Sequence, residues 1–104
     1  MEIVYFETQR DNHDGDDLHD QVVGEMRALA ESIDGFIRWR DVNDGLEYWG
    51  IVMFQTSEAT AQWKQHPDHA RIHQMTAGTL YRSFSTRAFA SLRENVFDGD
   101  DQGS

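Results

Sequence analysis

Three histidines, His66, His69 and His73, fall at i, i+3 and i+7, a spacing that puts imidazoles on one helix face as metal ligands or proton acceptors. Pro67 interrupts the run. Proline has no amide proton and fits the first turn of a helix rather than its middle. A break is therefore predicted at His66, which leaves His69 and His73 as the neighbouring pair. A closed zinc site takes four ligands, and the chain has no cysteine, so a dedicated zinc centre is disfavoured. The acidic stretch Asp11, Asp14, Asp16, Asp17 does not match a calcium loop, because counting back from Gly15 puts Arg10 at the first ligand position. It reads as a solvated loop. Arg38, Arg40 and Arg82 lie on predicted strands, from which a guanidinium could hold an acidic ligand in a cavity or pair with surface carboxylates. No glycine-rich phosphate loop, nucleophile elbow or basic–aromatic platform is present, which leaves hydrolase and nucleotide chemistry unsupported.

The elements that must carry these residues can be read from periodicity. Glu2 to Arg10 places Ile3 and Tyr5 on one face and Val4 and Phe6 on the other, a strand that wants cover on both sides. Leu18, Val22, Met26, Leu29 and Ile33 recur at helical spacing, which predicts a helix over Leu18 to Ile33 closed by Gly35 in a left-handed conformation. Phe36, Ile37, Trp39 and Val42 form a second strand. Asn43-Asp44-Gly45 turns it into a return strand from Leu46 to Phe54, again apolar on both faces. Ser57 suits an N-cap for a helix through Trp63, a second helical piece runs from Pro67 to about Gly78, and Thr79 to Phe89 is the last strand. Residues 1–92 form one domain, and residues 93–104 form an acidic tail too poor in apolar groups to offset its ordering entropy, expected to be disordered.

The order β-α-β-β-α-β predicts a ferredoxin-like α+β fold with both helices on one side of an antiparallel sheet. Two helices cannot cover both faces, so an apolar sheet face is left over. The economical solution is a homodimer with the sheets packed face to face. Nineteen acidic against nine basic side chains give a charge of −10 over 104 residues. That field repels nucleic-acid backbones and anionic membrane surfaces. Lysine is nearly absent, with Lys64 alone, a balance shared by proteins of concentrated salt (a halophilic origin) and by ordinary acidic ones. The start lacks a secretory pattern and no stretch is long enough to span a bilayer, so a cytoplasmic protein is expected.

From Gly35-Phe36-Ile37 through Trp49-Gly50-Ile51-Val52-Met53-Phe54 to Ser57-Glu58-Ala59 and Trp63-Lys64-Gln65-His66-Pro67-Asp68-His69, the chain resembles the antibiotic biosynthesis monooxygenase family of dimeric α+β barrels, over roughly residues 1–90. The resemblance implies oxygenation of a flat, largely apolar ligand held between the second helical segment and the sheet. In heme-degrading members, a Trp and a His ten residues later serve as the side chain pressing on the macrocycle and the axial iron ligand. Trp63 and His73 stand ten apart, so the resemblance implies heme, as substrate and cofactor, with His73 on the metal and Trp63 shaping the ring. Those members also use an Asn near the end of the first strand. The nearest counterparts are Glu7 and Thr8, neither an amide. A second branch implies a cofactor-free quinol or polyphenol monooxygenase in which His69 or His73 is the base. A non-catalytic dimeric ligand-binding module is the third reading.

Overall fold

A computed structural model describes residues 1–99. The elements are β1 (Glu2–Gln9), α1 (Asp16–Ser32), β2 (Phe36–Asp44), β3 (Glu47–Phe54), α2 (Ser57–Gln65), α3 (Pro67–Thr76) and β4 (Ser83–Ala90). The four strands form one antiparallel sheet in the order β2-β3-β1-β4, the ferredoxin-like arrangement. β1 and β3 register Val4 against Val52 and Phe6 against Gly50. Side chains alternate along a strand, so Val4, Phe6, Tyr48, Val52 and Phe54 all point to one face, where they are buried. The helices close that face with Ala30, Ala59 and Trp63. Among the described residues no helix is long and apolar enough to cross a membrane.

Local chemistry fixes the boundaries. α1 starts two residues earlier than its apolar periodicity indicates, because Asp16 and Asp17 in its first turn favour the positive end of the helix dipole. Gly35 does adopt a positive φ of 102°, but it lies beyond the cap residue Ile33, in the turn into β2, where its carbonyl accepts from the Gln55 amide at 2.8 Å. Thr56, not Ser57, caps α2, its hydroxyl accepting from the Ala59 amide at 3.1 Å. The break at Pro67 is present. His66 is extended (φ −62°, ψ 137°), and its Nδ1 accepts from the Asp68 amide at 3.1 Å as the cap of α3.

The last strand begins at Ser83 rather than Thr79. Gly78, at φ 74°, reverses the chain, and the Tyr81 amide returns to the Thr76 carbonyl at 3.0 Å. This seats Tyr81 in a small cluster with Val22 and Ile72 before β4 starts. Residues 93–99 carry no strand or α-helix, with Val96 and Phe97 exposed. Residues 100–104, part of the tail expected to be disordered, lie outside the described residues.

The opposite sheet face is open. Ile3, Tyr5, Ile51 and Met53 are only partly buried there, and Trp49 and Phe89 are 42% and 54% exposed.

Two glycines test this packing in opposite directions. A Cβ on Gly50 would collide with the Arg40 carbonyl, the Asp41 Cβ and the Phe6 ring, whereas one on Gly24, inside α1, meets open space. Gly50→Ala is expected to destabilise the fold by about 1–3 kcal/mol and Gly24→Ala to stabilise it by about 0.5–1 kcal/mol, both read from urea midpoints.

Candidate active site

Because the helical segment breaks at Pro67, α2 and α3 present different faces. α2 drives Trp63 into the core, where its indole N–H donates to the Met26 carbonyl of α1 at 3.2 Å. Its ring lies edge-on to Trp39 and tilted against Phe54, with centroids 6.2 and 5.8 Å away. α3 then carries His69, His73 and Thr76, at i, i+4 and i+7, along one side. A cavity of about 280 Å³ opens between the sheet and the helices, with Phe6, Met26, Trp39 and Ile72 as apolar walls.

A ladder of four rings forms the wall nearest α3. Trp63 meets His69 edge-on at 4.7 Å, His69 stacks on His73 at 4.6 Å with planes 27° apart, and His73 meets Phe84 of β4 at 4.7 Å. All four line the cavity. Among the described residues neither the His69 ring nor the His73 ring makes a hydrogen bond, so both keep their polar nitrogens for a ligand. Burial disfavours the imidazolium, and the neighbouring His73, the Lys64 ammonium and His66 add to it, pushing His69 down from the ordinary 6.5 to about 4. His73 is lowered too, by burial and then by Lys64. At neutral pH the cavity therefore holds two neutral, unengaged imidazoles.

A separate polar cluster stands at the other end of the cavity wall. His19 on α1 is 1% exposed and lies between the Tyr81 hydroxyl, 2.8 Å from Nδ1, and Asn43 Oδ1, 2.8 Å from Nε2. The amide oxygen only accepts, so Nε2 carries a proton and donates to it, while Nδ1 pairs with the Tyr81 hydroxyl. The Tyr48 hydroxyl donates to Asp41 Oδ2 at 2.7 Å. Burial first, then Asp41, raises the Tyr48 phenol, and burial pushes Tyr81 up to about 12, so both stay protonated as fixed donors. This cluster is satisfied internally and braces the cavity.

The residues singled out in the sequence are distributed as follows. Trp63, His69, His73 and Thr8 border one cavity. Glu7 also borders it, but strand alternation sends its side chain to the open face, where its carboxylate acts on the Tyr5 hydroxyl and raises that phenol. Thr8 is the β1 residue on the cavity side, its hydroxyl 3.5 Å from the Tyr48 carbonyl. The arginines do not reach the cavity. Arg38 and Arg40 alternate with buried Trp39 and so share the open face, and Arg82 pairs with Asp11 at 3.4 Å on the surface. Among the described residues no group of three or more His, Asp or Glu side chains converges as a metal site. Periodicity passed over Tyr48, Tyr81, Thr76 and Lys64 as lining residues. Only Lys64 carried a signal, as the sole lysine.

No protein-family model and no curated protein matches this sequence. Solved structures do match. A Deinococcus radiodurans protein assigned as an antibiotic biosynthesis monooxygenase superposes with a TM-score of 0.80 at 12% identity, over 95% of this chain and all of the other (100%). SnoaB, a cofactor-independent oxygenase from Streptomyces nogalater, superposes with a TM-score of 0.72 at 14% identity, over 93% of this chain and 98% of its own. A further antibiotic biosynthesis monooxygenase gives 0.73 at 9% identity over 89% of this chain and 100% of its own. At these identities the likeness establishes the fold, that of the antibiotic biosynthesis monooxygenases.

The depressed imidazoles make stability depend on acid. Unfolded His69 takes a proton near 6.5 and folded His69 near 4, so stability present above pH 6.5 is lost progressively as pH falls towards 4. Ring-proton NMR titration is expected to place His69 near 4 and His73 below 6.5, and His69→Gln should flatten the fall in unfolding free energy across that window.

Proposed function

We propose that this chain is a monooxygenase of the antibiotic biosynthesis monooxygenase family that oxygenates a small aromatic hydroxyl compound of the quinol or polycyclic phenol type without a resident cofactor. The observation that carries this reading is the pair of neutral, unbonded imidazoles of His69 and His73 facing an apolar cavity of about 280 Å³. A phenol or enol donates to one of these nitrogens and loses its proton to it. The stacked partner ring fixes the acceptor's orientation. The carbon-centred anion that results passes one electron to dioxygen, the radical and superoxide combine into a C–O bond, and the peroxide anion takes the proton back from the imidazolium. The resulting hydroperoxide loses water as its carbon becomes a carbonyl, so a CH2 group and O2 yield C=O and H2O. The apolar walls keep bulk water from the anion. The neighbouring fold of SnoaB, a cofactor-independent oxygenase, supports the same reading.

Heme, implied by the Trp63–His73 spacing, fits this cavity less well. Ligand sites for drug-sized molecules run from about 300 to 1,000 Å³, and a tetrapyrrole needs the upper part of that range. Trp63 is 4% exposed, with its N–H committed to Met26 and its ring wedged among Trp39, Phe54 and His69. No arginine faces the cavity to hold a propionate, and Thr8 offers a hydroxyl where an amide is expected. The smaller phenol meets none of these obstacles.

The working unit in this reading is a homodimer. The open face combines Trp49, Ile51 and Phe89 with Arg38, Arg40 and Arg87 and with Glu7 and Glu47, so a second copy can cover the apolar centre and match opposite charges at the rim. Light scattering is expected to give twice the chain mass, and Trp49→Lys to give the monomer. A monomeric parent protein would refute the dimer.

Oxygen uptake with a panel of hydroquinones and anthrones, with metal chelator present and no flavin or heme added, is the direct test. His69→Ala or His73→Ala should lower kcat by about 10²–10⁴-fold for the ring that acts as base. Uptake that appears only with added hemin, together with a Soret shift lost in His73→Ala, would replace this reading with the heme one.

A further inference from the structure

The cavity wall is buried on most sides and exposed on one. Val22, Trp39, Trp63 and Ile72 are buried within it, whereas Phe84 and Thr86 of β4 border the same hollow and are exposed. Register explains the difference. Phe84, Thr86 and Ala88 stand opposite Thr8, Phe6 and Val4, so all three point to the helix side of the sheet. There α1 packs on β2, and α2 on β1 and β3, which leaves the helix side of the edge strand β4 uncovered. The cavity therefore meets solvent between α3 and β4.

A ring contact crosses that opening. The Phe84 ring, 44% exposed, meets the His73 ring of α3 at 4.7 Å with planes 62° apart. The backbone on each side is held. Phe84 pairs with Thr8 in the sheet, and the Arg82 amide donates to the Gln9 carbonyl at 2.8 Å just before it. Beside His73, Ile72 is packed with Val22 and Tyr81, and Arg71 pairs with Glu25 of α1 at 3.7 Å. The Phe84 side chain has solvent on one flank, so a turn about its χ1 widens the opening without breaking a backbone hydrogen bond.

We infer that Phe84 is the gate of the cavity: its ring, resting on His73, sets how wide a ligand enters and holds the His73 ring in place. The inference rests on the oxygenase reading only in taking this cavity as the ligand site, and it does not depend on what is oxidised there. A second copy covering the open sheet face leaves the gate free, because Phe84 points to the other side. An edge-on aromatic contact is strong enough to favour the closed ring and weak enough to break without unfolding.

Stopped-flow fluorescence with 2-naphthol and 1-hydroxypyrene, a bicyclic and a tetracyclic phenol, tests the gate through rates. Substitutions of an ordinary contact residue act mostly on dissociation. Loss of a gate raises association and dissociation together. Phe84→Ala is expected to raise both rate constants of hydroxypyrene by about three- to tenfold, the scale of one aromatic contact, with Kd changed less than either. Naphthol should respond less, and Phe84→Trp should slow both probes. In NMR spectra Phe84→Ala should shift the His73 ring protons and leave those of His19 in place. Rates equal in the parent and both variants, a change in dissociation alone, or His73 resonances unmoved would each overturn the gate. Failure of both probes to bind the parent protein would overturn the cavity as the ligand site and the gate with it. The expected rate changes without oxygen uptake leave the gate standing and remove the oxygenase, and oxygen uptake with unchanged rates does the reverse.

Discussion

The missing amide proton of Pro67 is the constraint on which the site depends. Without it, the segment from Ser57 to Thr76 would be one helix with one buried stripe, and Trp63 and His73 would compete for positions along a single line. The break at His66 lets α2 commit its stripe to the sheet while α3 turns its own towards the gap beside α1. Trp63 thereby fills the core, His69 rests against its edge, and His73 reaches across to Phe84. The hollow exists because the two short helices do not lie in one line over the sheet.

Electrostatics follows from that geometry. The imidazoles are held neutral mainly by loss of water, with like charges assisting, so their basicity is a property of the cavity walls rather than of any one hydrogen bond. The contrast with His19 is instructive. It is the most deeply buried histidine, yet Tyr81 and Asn43 occupy both of its nitrogens, which makes it a brace. Burial alone does not mark a reactive histidine; an unused nitrogen beside free volume does.

Much of the architecture was legible in the chain. Alternation in β1 and β3, the apolar spacing of α1 and the proline break follow from side-chain periodicity and backbone chemistry, both local properties. The start of β4 was not legible, because Thr79 to Arg82 has strand-like composition and is diverted by the Gly78 reversal and by the seat that Tyr81 finds against Val22 and Ile72. At the site, the i, i+4 relation of His69 and His73 was readable, but Glu7 and Thr8 could be told apart only once the register fixed which of them faces the helices. Which side the arginines of β2 take stayed open in the sequence for the same reason, since the irregularity between Phe36 and Arg38 resets the alternation. Tyr48 and Tyr81 were invisible as wall residues because their neighbours in the cavity are distant in sequence.

The edge-on meeting of Trp63 and His69 also has an optical consequence. An imidazolium in van der Waals contact with an indole accepts an electron from its excited state, whereas a neutral imidazole does so poorly. Trp39 and Trp63 are both shielded from water and are expected to emit to the blue of exposed Trp49, and since Trp63 is the one in contact with His69, quenching of that blue component on acidification would follow the charge on the ring beside it. The protein carries its own dye, in direct contact with a buried imidazole.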